Sequence, residues 1–414
     1  MTKNIRIVAL VVAAMAMLFA QKTQAQNIQT VQLFLKGNEF SEPVYDLSQP
    51  AATLLLQFDE LNSPYKYYFY TVQHCGSNWQ NSRIFENDYL SGFFEQPITT
   101  YNQSVNAHQK YMHYTAELPN ENFKITKTGN YKLIVYEDGN RENPIITRKF
   151  YVTSQQVPIL AQAARPTQAS KAFVAQELSV EINAAALPLN NAFDEITVVI
   201  QQNNRTDNMI TLTQPVFIAE KRLSYTLPND VQFEAGNEFR LLDLRTFDFR
   251  TAAVKEINTQ NDLVEITLHP DNVRKNRYLF YLDADGRYFT GLIDKFSPND
   301  PDYCYVKFSL PTTDSLAKTN QVYLLGDMCN WQLNTKSELH YNAQNAQYET
   351  TLLLKQGFYN YQYATKTADG KVSVGQYEGN FFNAQNTYCI YVYYKPLAAR
   401  YQSLVGFTKI QSLR

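Results

Sequence analysis

The sequence predicts an all-β protein built from three consecutive Ig-like antiparallel β-sandwich domains. Helical periodicity is nearly absent after the first 25 residues, and apolar residues instead form short runs rich in β-branched and aromatic side chains, as strands do. Gly, Pro, Asn and Asp bound these runs, as turns between strands require. The chain has 414 residues, a length that suits about three domains of ordinary size.

Residues 1–25 are predicted to be an export signal peptide. Lys3 and Arg6 form a positively charged start, residues 7–20 are apolar, and Ala25 ends a small-residue cleavage site. The apolar run is about 14 residues long, which is short for a membrane-spanning helix, so an uncleaved anchor is the less favoured alternative. We therefore expect an exported protein.

Residues 26–155 are predicted to form the first sandwich. Its apolar runs are short and separated by turn residues, which suits antiparallel strands that are buried on one or both faces. The clearest runs are 31–35, 53–58, 65–72, 131–136 and 147–152.

Residues 156–298 and 299–414 are predicted to form the second and third sandwiches. In the second, the runs 278–282 and 288–293 flank an Asp-Gly corner that ends at Gly286, and this pattern predicts a β-hairpin. Asp283 and Asp285 also resemble half of a calcium loop. The other oxygen ligands are missing at the required offsets, so we predict no metal site there.

Charge excludes some partners. Removing the three basic residues of the signal leaves 34 basic against 39 acidic residues, a net charge near −5. A mildly acidic chain without a basic cluster is a poor candidate for binding nucleic acid or anionic lipid.

The four cysteines allow three complete pairings, and their spacing does not choose among them. They are Cys75, Cys304, Cys329 and Cys389. No CxxC motif is present, so neither a zinc ribbon nor a thioredoxin-like site is predicted. We expect Cys75 to be a buried free thiol.

No motif indicates catalysis. His74 and Cys75 are adjacent, but neighbouring side chains in a strand point to opposite faces, so His74 is badly placed to activate the thiol. A spatial pairing of Cys75 with His113 stays open. His108 and His113 are five residues apart, which does not match a zinc-protease helix or a pair on one strand face. We expect no enzymatic activity, no cofactor and no metal.

The last unit resembles the glycogen-binding type of carbohydrate module. A strand ending at Gly326 leads to Asn330 and Trp331, and an aromatic hairpin follows at residues 359–363. Exposed Trp331 and Tyr361 would pack against a sugar face, which makes a glycan-binding protein the alternative function. The competing interpretation is that Trp331 fills the sandwich core.

An ordered set of residues over the whole predicted mature chain closely resembles the type 9 secretion system plug protein family of Bacteroidetes. In the first unit the resemblance is carried by Ile28-Gln29-Thr30-Val31, Pro43, Leu47, Phe58-Asp59-Glu60-Leu61, His74-Cys75, Trp79, Ser82, Tyr89-Leu90, Gly92-Phe93, Ile98, Tyr101, Ser104, Asn106, Tyr111, His113-Tyr114, Leu118-Pro119-Asn120 and Gly129-Asn130-Tyr131. In the last unit it is carried by Asn330-Trp331, Tyr348-Glu349, Lys355-Gln356-Gly357, Tyr359, Tyr361, Arg400-Tyr401 and Gly406. Gly76, where the family often has an acid, and Cys329 depart from the pattern.

The resemblance implies a periplasmic protein at the inner face of the outer membrane. Its expected partner is the outer-membrane translocon barrel protein of the type 9 secretion system, whose inner end it would close when no cargo is engaged. The expected contact residues lie in the loop between Trp79 and Tyr101, where Tyr89, Phe93, Phe94 and Tyr101 are candidates for exposed aromatic anchors. The alternative is that this loop folds back onto its own sandwich.

Overall fold

The computed structural model describes residues 27–228, 230–293, 300–312 and 321–412. The predicted signal peptide and the predicted boundary between residues 298 and 299 lie outside these ranges. Nearly all of the regular secondary structure of the described residues is β-strand, as the all-β prediction requires, and the strands are arranged as β-sandwiches.

The first part of the chain contains β1 (Ile28–Leu35), β2 (Val44–Asp46), β3 (Leu54–Leu61), β4 (Tyr68–Cys75), α1 (Glu86–Tyr89), β5 (Leu90–Gly92), β6 (Gln96–Pro97), β7 (Thr100–Gln103), β8 (Tyr111–Leu118), β9 (Phe123–Ile125), β10 (Gly129–Glu137) and β11 (Pro144–Thr153). A four-stranded sheet, β1-β3-β8-β7, faces a five-stranded sheet, β2-β11-β10-β4-β6. Alternate residues of both sheets, among them Phe58, Val72 and Phe150, fill the space between them. This is the first sandwich.

The next part contains β12 (Ile159–Ala164), β13 (Ala175–Asn183), α2 (Ala192–Glu195), β14 (Ile196–Gln202), β15 (Ile210–Leu212), β16 (Phe217–Ala219), β17 (Arg222–Ser224), β18 (Gln232–Glu234), β19 (Arg240–Asp243), β20 (Val254–Asn258), β21 (Val264–Leu268) and β22 (Tyr288–Thr290).

The last part contains β23 (Tyr303–Pro311), β24 (Gln321–Leu325), a short 3-10 helix (Asp327–Cys329), β25 (Glu338–Asn342), β26 (Gln347–Lys355), β27 (Gly357–Lys366), β28 (Val372–Ser373), α3 (Gly375–Glu378), β29 (Thr387–Tyr394) and β30 (Ser403–Gln411).

Strand pairing crosses the predicted division between the second and third units. The second sandwich joins the sheet β12-β13-β17-β16 to the sheet β15-β14-β29-β30, so its last two strands come from the end of the described chain. The third sandwich is a ten-stranded arrangement of β19–β28. It is inserted in the chain between β18 and β29, which both belong to the second sandwich. Sequence order misleads here because short apolar runs of similar composition carry no signal of which distant strand they pair with.

The predicted hairpin around Gly286 is wrong. Residues 278–282 form no strand, although β22 follows the corner. The Asp283 carboxylate instead accepts hydrogen bonds from the backbone N–H groups of Phe239 and Asp285, which fixes the corner as a loop against β19. A local hydrogen-bonding side chain has thus replaced the strand pairing that the pattern predicted.

The first and third sandwiches meet at a buried carboxylate. Asp59 in β3 is fully buried, and its Oδ1 lies 2.6 Å from Nδ1 of His113. From the third sandwich, Lys355 Nζ and the Tyr303 hydroxyl donate to Oδ2 at 2.7 and 2.6 Å. Burial opposes ionisation of Asp59, yet the charges of Lys355 and His113 hold its pKa below the usual value. We call these four residues the Asp59 cluster.

Aromatic side chains join the first and second sandwiches. Tyr151 of β11 stacks on Tyr391 of β29 with ring centroids 4.2 Å apart, and the Tyr393 hydroxyl donates to Oδ1 of Asn130 at 2.7 Å. A third point of contact unites all three sandwiches, because Glu42 forms ion pairs with both Arg287 and Lys409. Each interface therefore combines buried apolar packing with polar groups that are paired across it.

Replacing Lys355 with Met should lower the free energy of unfolding by about 3–5 kcal/mol, because it leaves the Asp59 charge buried without its cation. Urea unfolding followed by circular dichroism measures this loss. The matched control is Lys36→Met, which breaks the exposed ion pair with Glu117 and should cost less than about 1 kcal/mol. Equal losses in the two variants would show that the Asp59 cluster does not connect the sandwiches.

Candidate functional site

Tyr89 is not an exposed anchor, which corrects the expectation from the sequence. It ends α1, is 1% exposed, and donates from its hydroxyl to the Val72 backbone oxygen at 3.2 Å. Its ring lies beside those of His74 and Tyr131. The short helix turns this side chain into the core while it keeps the loop around it at the surface.

Phe93 and Phe94 project from a loop that is held firmly at its backbone. Phe93 is 64% exposed and Phe94 is 39% exposed. Gly92 has φ +98°, and a Cβ there would lie 2.3 Å from the Asn122 backbone oxygen, so only glycine allows this approach. The Thr71 hydroxyl donates to the Phe94 backbone oxygen at 2.6 Å. The rings are therefore presented outward on a fixed support.

Charged side chains hold the same loop. Arg141 forms ion pairs with Glu86 at 2.9 Å and with Glu95 at 3.0 Å. The Tyr136 hydroxyl donates to Glu95, and this hydrogen bond, together with Arg141, lowers the pKa of the Glu95 carboxyl. The loop thus has a polar rim around two exposed apolar rings, the arrangement typical of protein-binding surfaces.

Tyr101 forms a second exposed aromatic group. It lies in β7, the edge strand of its sheet, is 40% exposed, and stacks on Tyr65 at 4.1 Å between ring centroids. Tyr67 packs edge-on against Tyr65 and is itself exposed. We refer to Phe93, Phe94, Tyr67 and Tyr101 together as the aromatic surface.

One of the two residues expected to bind carbohydrate is buried. Tyr361 is only 2% exposed, because β27 lies inside the third sandwich, and its hydroxyl donates to Oδ2 of Asp271 at 2.7 Å. Trp331 is half-buried and packs edge-on against Phe239 at 6.0 Å. The two rings therefore do not form the predicted exposed sugar platform.

The histidine and cysteine residues do not form a nucleophilic site. His113 contacts Asp59, whereas the Cys75 thiol contacts the Gln73 backbone oxygen and Asn81. Burial raises the pKa of Cys75, which disfavours the reactive thiolate. The prediction of a free thiol is confirmed, and the other three cysteines are also free. Among the described residues, no group of three or more His, Cys, Asp or Glu side chains is placed to hold a metal ion.

Comparison with known proteins identifies the family. The family model of the type 9 secretion system plug protein 1st domain matches residues 28–154. The chain is also similar to a hypothetical protein from Parabacteroides merdae ATCC 43184, known from a crystal structure, with 33% identity over 93% of this chain and 97% of that chain and a TM-score of 0.89. The chain belongs to the type 9 secretion system plug protein family.

Other comparisons add little. A serine-rich repeat protein (Srr2) from Streptococcus agalactiae covers 93% of the chain at 7% identity, but a TM-score of 0.13 carries no argument about fold. No curated protein matches the sequence. In the parts of the plug-family chain that the structure describes, no helix has the length and apolar character needed to cross a membrane. Membership of a secretion-associated family gives the protein a role in type 9 secretion.

The sequence did not show that polar residues join the sandwiches of this plug-family protein. Asp59 belongs to the family resemblance only as part of the run 58–61, and Glu42 and Arg287 do not belong to it, although all three are buried. One signal was available for Asp59, because an acidic residue inside the apolar run that ends at Leu61 is unusual for a strand in a sandwich core. For Glu42 and Arg287 the local sequence offers no comparable signal.

His74 should make the stability of the protein depend on pH. Its Nε2 lies 3.0 Å from the Thr128 backbone oxygen and its Nδ1 lies 2.8 Å from the Ser82 hydroxyl, and burial lowers its pKa to about 4. In the unfolded chain the pKa of a histidine is about 6.5, so between about pH 6.5 and pH 4 the unfolded state binds a proton at His74 that the folded state does not bind. The free energy of unfolding should therefore fall by up to about 3 kcal/mol as pH drops from about 6.5 to about 4.

Urea unfolding at pH 7 and pH 4.5 measures this loss. The variant His74→Gln should show a smaller difference between the two pH values, whereas His108→Gln, a change at an exposed histidine, should keep the full difference. The assignment to His74 is contradicted if both variants retain the wild-type pH dependence.

Proposed function

We propose that this protein is the periplasmic plug subunit of the type 9 secretion system. It binds the inner end of the large outer-membrane translocon and closes the pore when no cargo is engaged. The family match over residues 28–154, together with similarity along nearly the whole chain to one solved relative, is the observation that carries the proposal. The protein acts as a steric seal and not as an enzyme.

The connections between the sandwiches support this role. A body that closes a pore must keep its shape, and the three sandwiches are joined by the Asp59 cluster, by the Tyr151–Tyr391 stack and by the ion pairs of Glu42. Because these contacts are buried, opening any of them exposes charges or rings that lack partners in the separated sandwiches. Relative movement of the sandwiches is therefore costly.

The aromatic surface is the part of the molecule that we propose contacts the translocon. Exposed aromatic side chains are the residues that most often anchor protein interfaces, and here the backbone of the loop is already fixed by Gly92, Thr71 and Arg141. Binding to such a surface requires little ordering of the loop, so less of the interaction energy is lost.

Replacing Phe93 and Phe94 together with Ser should weaken translocon binding about 30-fold or more, because losing an aromatic anchor costs about 2 kcal/mol or more. The free energy of unfolding should change by less than about 0.5 kcal/mol, since both rings are exposed. Surface plasmon resonance with purified translocon measures the affinity. The matched control, Phe217→Ser with Phe249→Ser, removes two exposed rings from other parts of the molecule and should leave the affinity unchanged.

Deleting the gene should make the outer membrane permeable to large antibiotics while secretion largely continues, because only the seal is lost. Antibiotic sensitivity and the amount of secreted cargo measure the two effects. Complementation with wild-type protein should restore the barrier, and complementation with the Phe93/Phe94 variant should not. A deletion strain without a leak contradicts the sealing function, whereas full rescue by the variant contradicts only the choice of contact surface.

A further inference from the structure

A cavity of about 310 Å³ lies where the three sandwiches meet. Its lining combines Arg148 from the first sandwich, Asn204 from the second and Trp331 from the third. Exposed residues, including Glu39 and Gln332, stand at its rim, so it is accessible from solvent. Its volume is at the lower end of the range of about 300–1,000 Å³ that is typical of small-molecule sites.

Positive charge is in excess around this cavity. Its lining contains four basic side chains, Lys132, Arg148, Lys149 and Arg287, against the carboxylates of Glu39 and Asp327. The adjacent Glu42 forms an ion pair with Arg287 but also one with Lys409, so it does not remove the excess. The whole chain, by contrast, has a net charge of −2. The basic groups are therefore concentrated at this junction against the overall trend.

Arg148 has hydrogen-bonding capacity left over. It donates to the backbone oxygens of Thr147 and Val31 at 3.3 and 3.1 Å and to Asn330 Oδ1 at 2.5 Å. A guanidinium has five N–H groups, so two remain without an acceptor among the described residues. Among the described residues, the carboxylate that interacts with its charge is Asp327, which lines the same cavity.

Two further observations favour an anion in the cavity. Burial lowers the pKa of Arg148, although a guanidinium still stays protonated, and the side chain is half-buried, so its charge is only partly solvated. Asn204 Nδ2 is buried and has no hydrogen-bond acceptor within the described ranges. An anion in the cavity would satisfy donors that the protein leaves unsatisfied.

We propose that this cavity binds a small anionic molecule bearing a phosphate or carboxylate group. The anionic group lies on the Arg148 guanidinium, which favours planar, bidentate oxyanions. The body of the ligand packs against the half-buried ring of Trp331. Because all three sandwiches contribute to the lining, the bound ligand also strengthens their connection.

Isothermal titration calorimetry on the purified protein tests this proposal, with inorganic phosphate, citrate, glucose 6-phosphate and glucose as probes. At least one anion should bind, and glucose should not. Stronger binding of phosphate or of citrate identifies which anionic group the site takes. If the ligand body packs on Trp331, glucose 6-phosphate should bind more tightly than phosphate. This difference in affinity should disappear in Trp331→Ala.

Two variants with opposite expected effects on anion affinity test the proposal further. Arg148→Gln should weaken binding of the anion about tenfold or more, because a charge-assisted hydrogen-bonded pair is lost. Asp327→Asn should strengthen it about threefold, since a carboxylate is removed from the cavity. Arg83→Gln, which changes an exposed arginine outside the lining, should leave binding unchanged.

Circular dichroism establishes that each variant is folded. If Arg148→Gln fails to fold, the increase in affinity of Asp327→Asn decides the question by itself. Absence of binding by every anion, or an affinity that neither Arg148→Gln nor Asp327→Asn changes, overturns the proposal.

Discussion

The buried charge of Asp59 is the constraint on which much of this structure depends. A buried carboxylate is unfavourable unless cations and hydrogen-bond donors surround it. The first sandwich supplies His113 as a partner of Asp59. Lys355 and Tyr303 complete its surroundings from the third sandwich. The first sandwich therefore requires the third one to be docked in one orientation, because an ion pair at 2.7 Å tolerates little displacement.

Several residues that carry the family resemblance have structural positions of this kind. His74 packs against Tyr401, Asn130 accepts a hydrogen bond from Tyr393, and Lys355 belongs to the Asp59 cluster. Each of these contacts joins parts of the chain that are far apart in sequence. Part of the resemblance therefore lies in the contacts that assemble the sandwiches.

Local patterns were sufficient to predict the fold class, but they left open whether the loop that carries Phe93 is exposed, and they did not predict the assembly. Short apolar runs with turns between them are enough for sandwiches, and glycine next to aromatic residues marked the loop. The burial of Tyr89 and Tyr361 depends on neighbours that local sequence does not reveal. The same holds for the sheet that pairs β14 with β29, since Ile196 faces Tyr394 across a separation of 198 residues. Charge pairs across the interfaces cannot be predicted from local sequence either, because their partners lie far apart in the chain.

That pairing also determines the order in which the protein is completed. In a chain that emerges from its N-terminus, β14 appears long before β29, so half of the second sandwich is without the strand that covers its apolar edge until the last strands arrive. The inserted third sandwich contains its own core and can form during this interval. Contacts between such distant strands are slow to form, because a long loop must close first. The incomplete edge is therefore the segment on which a holding chaperone would act until the final strands arrive.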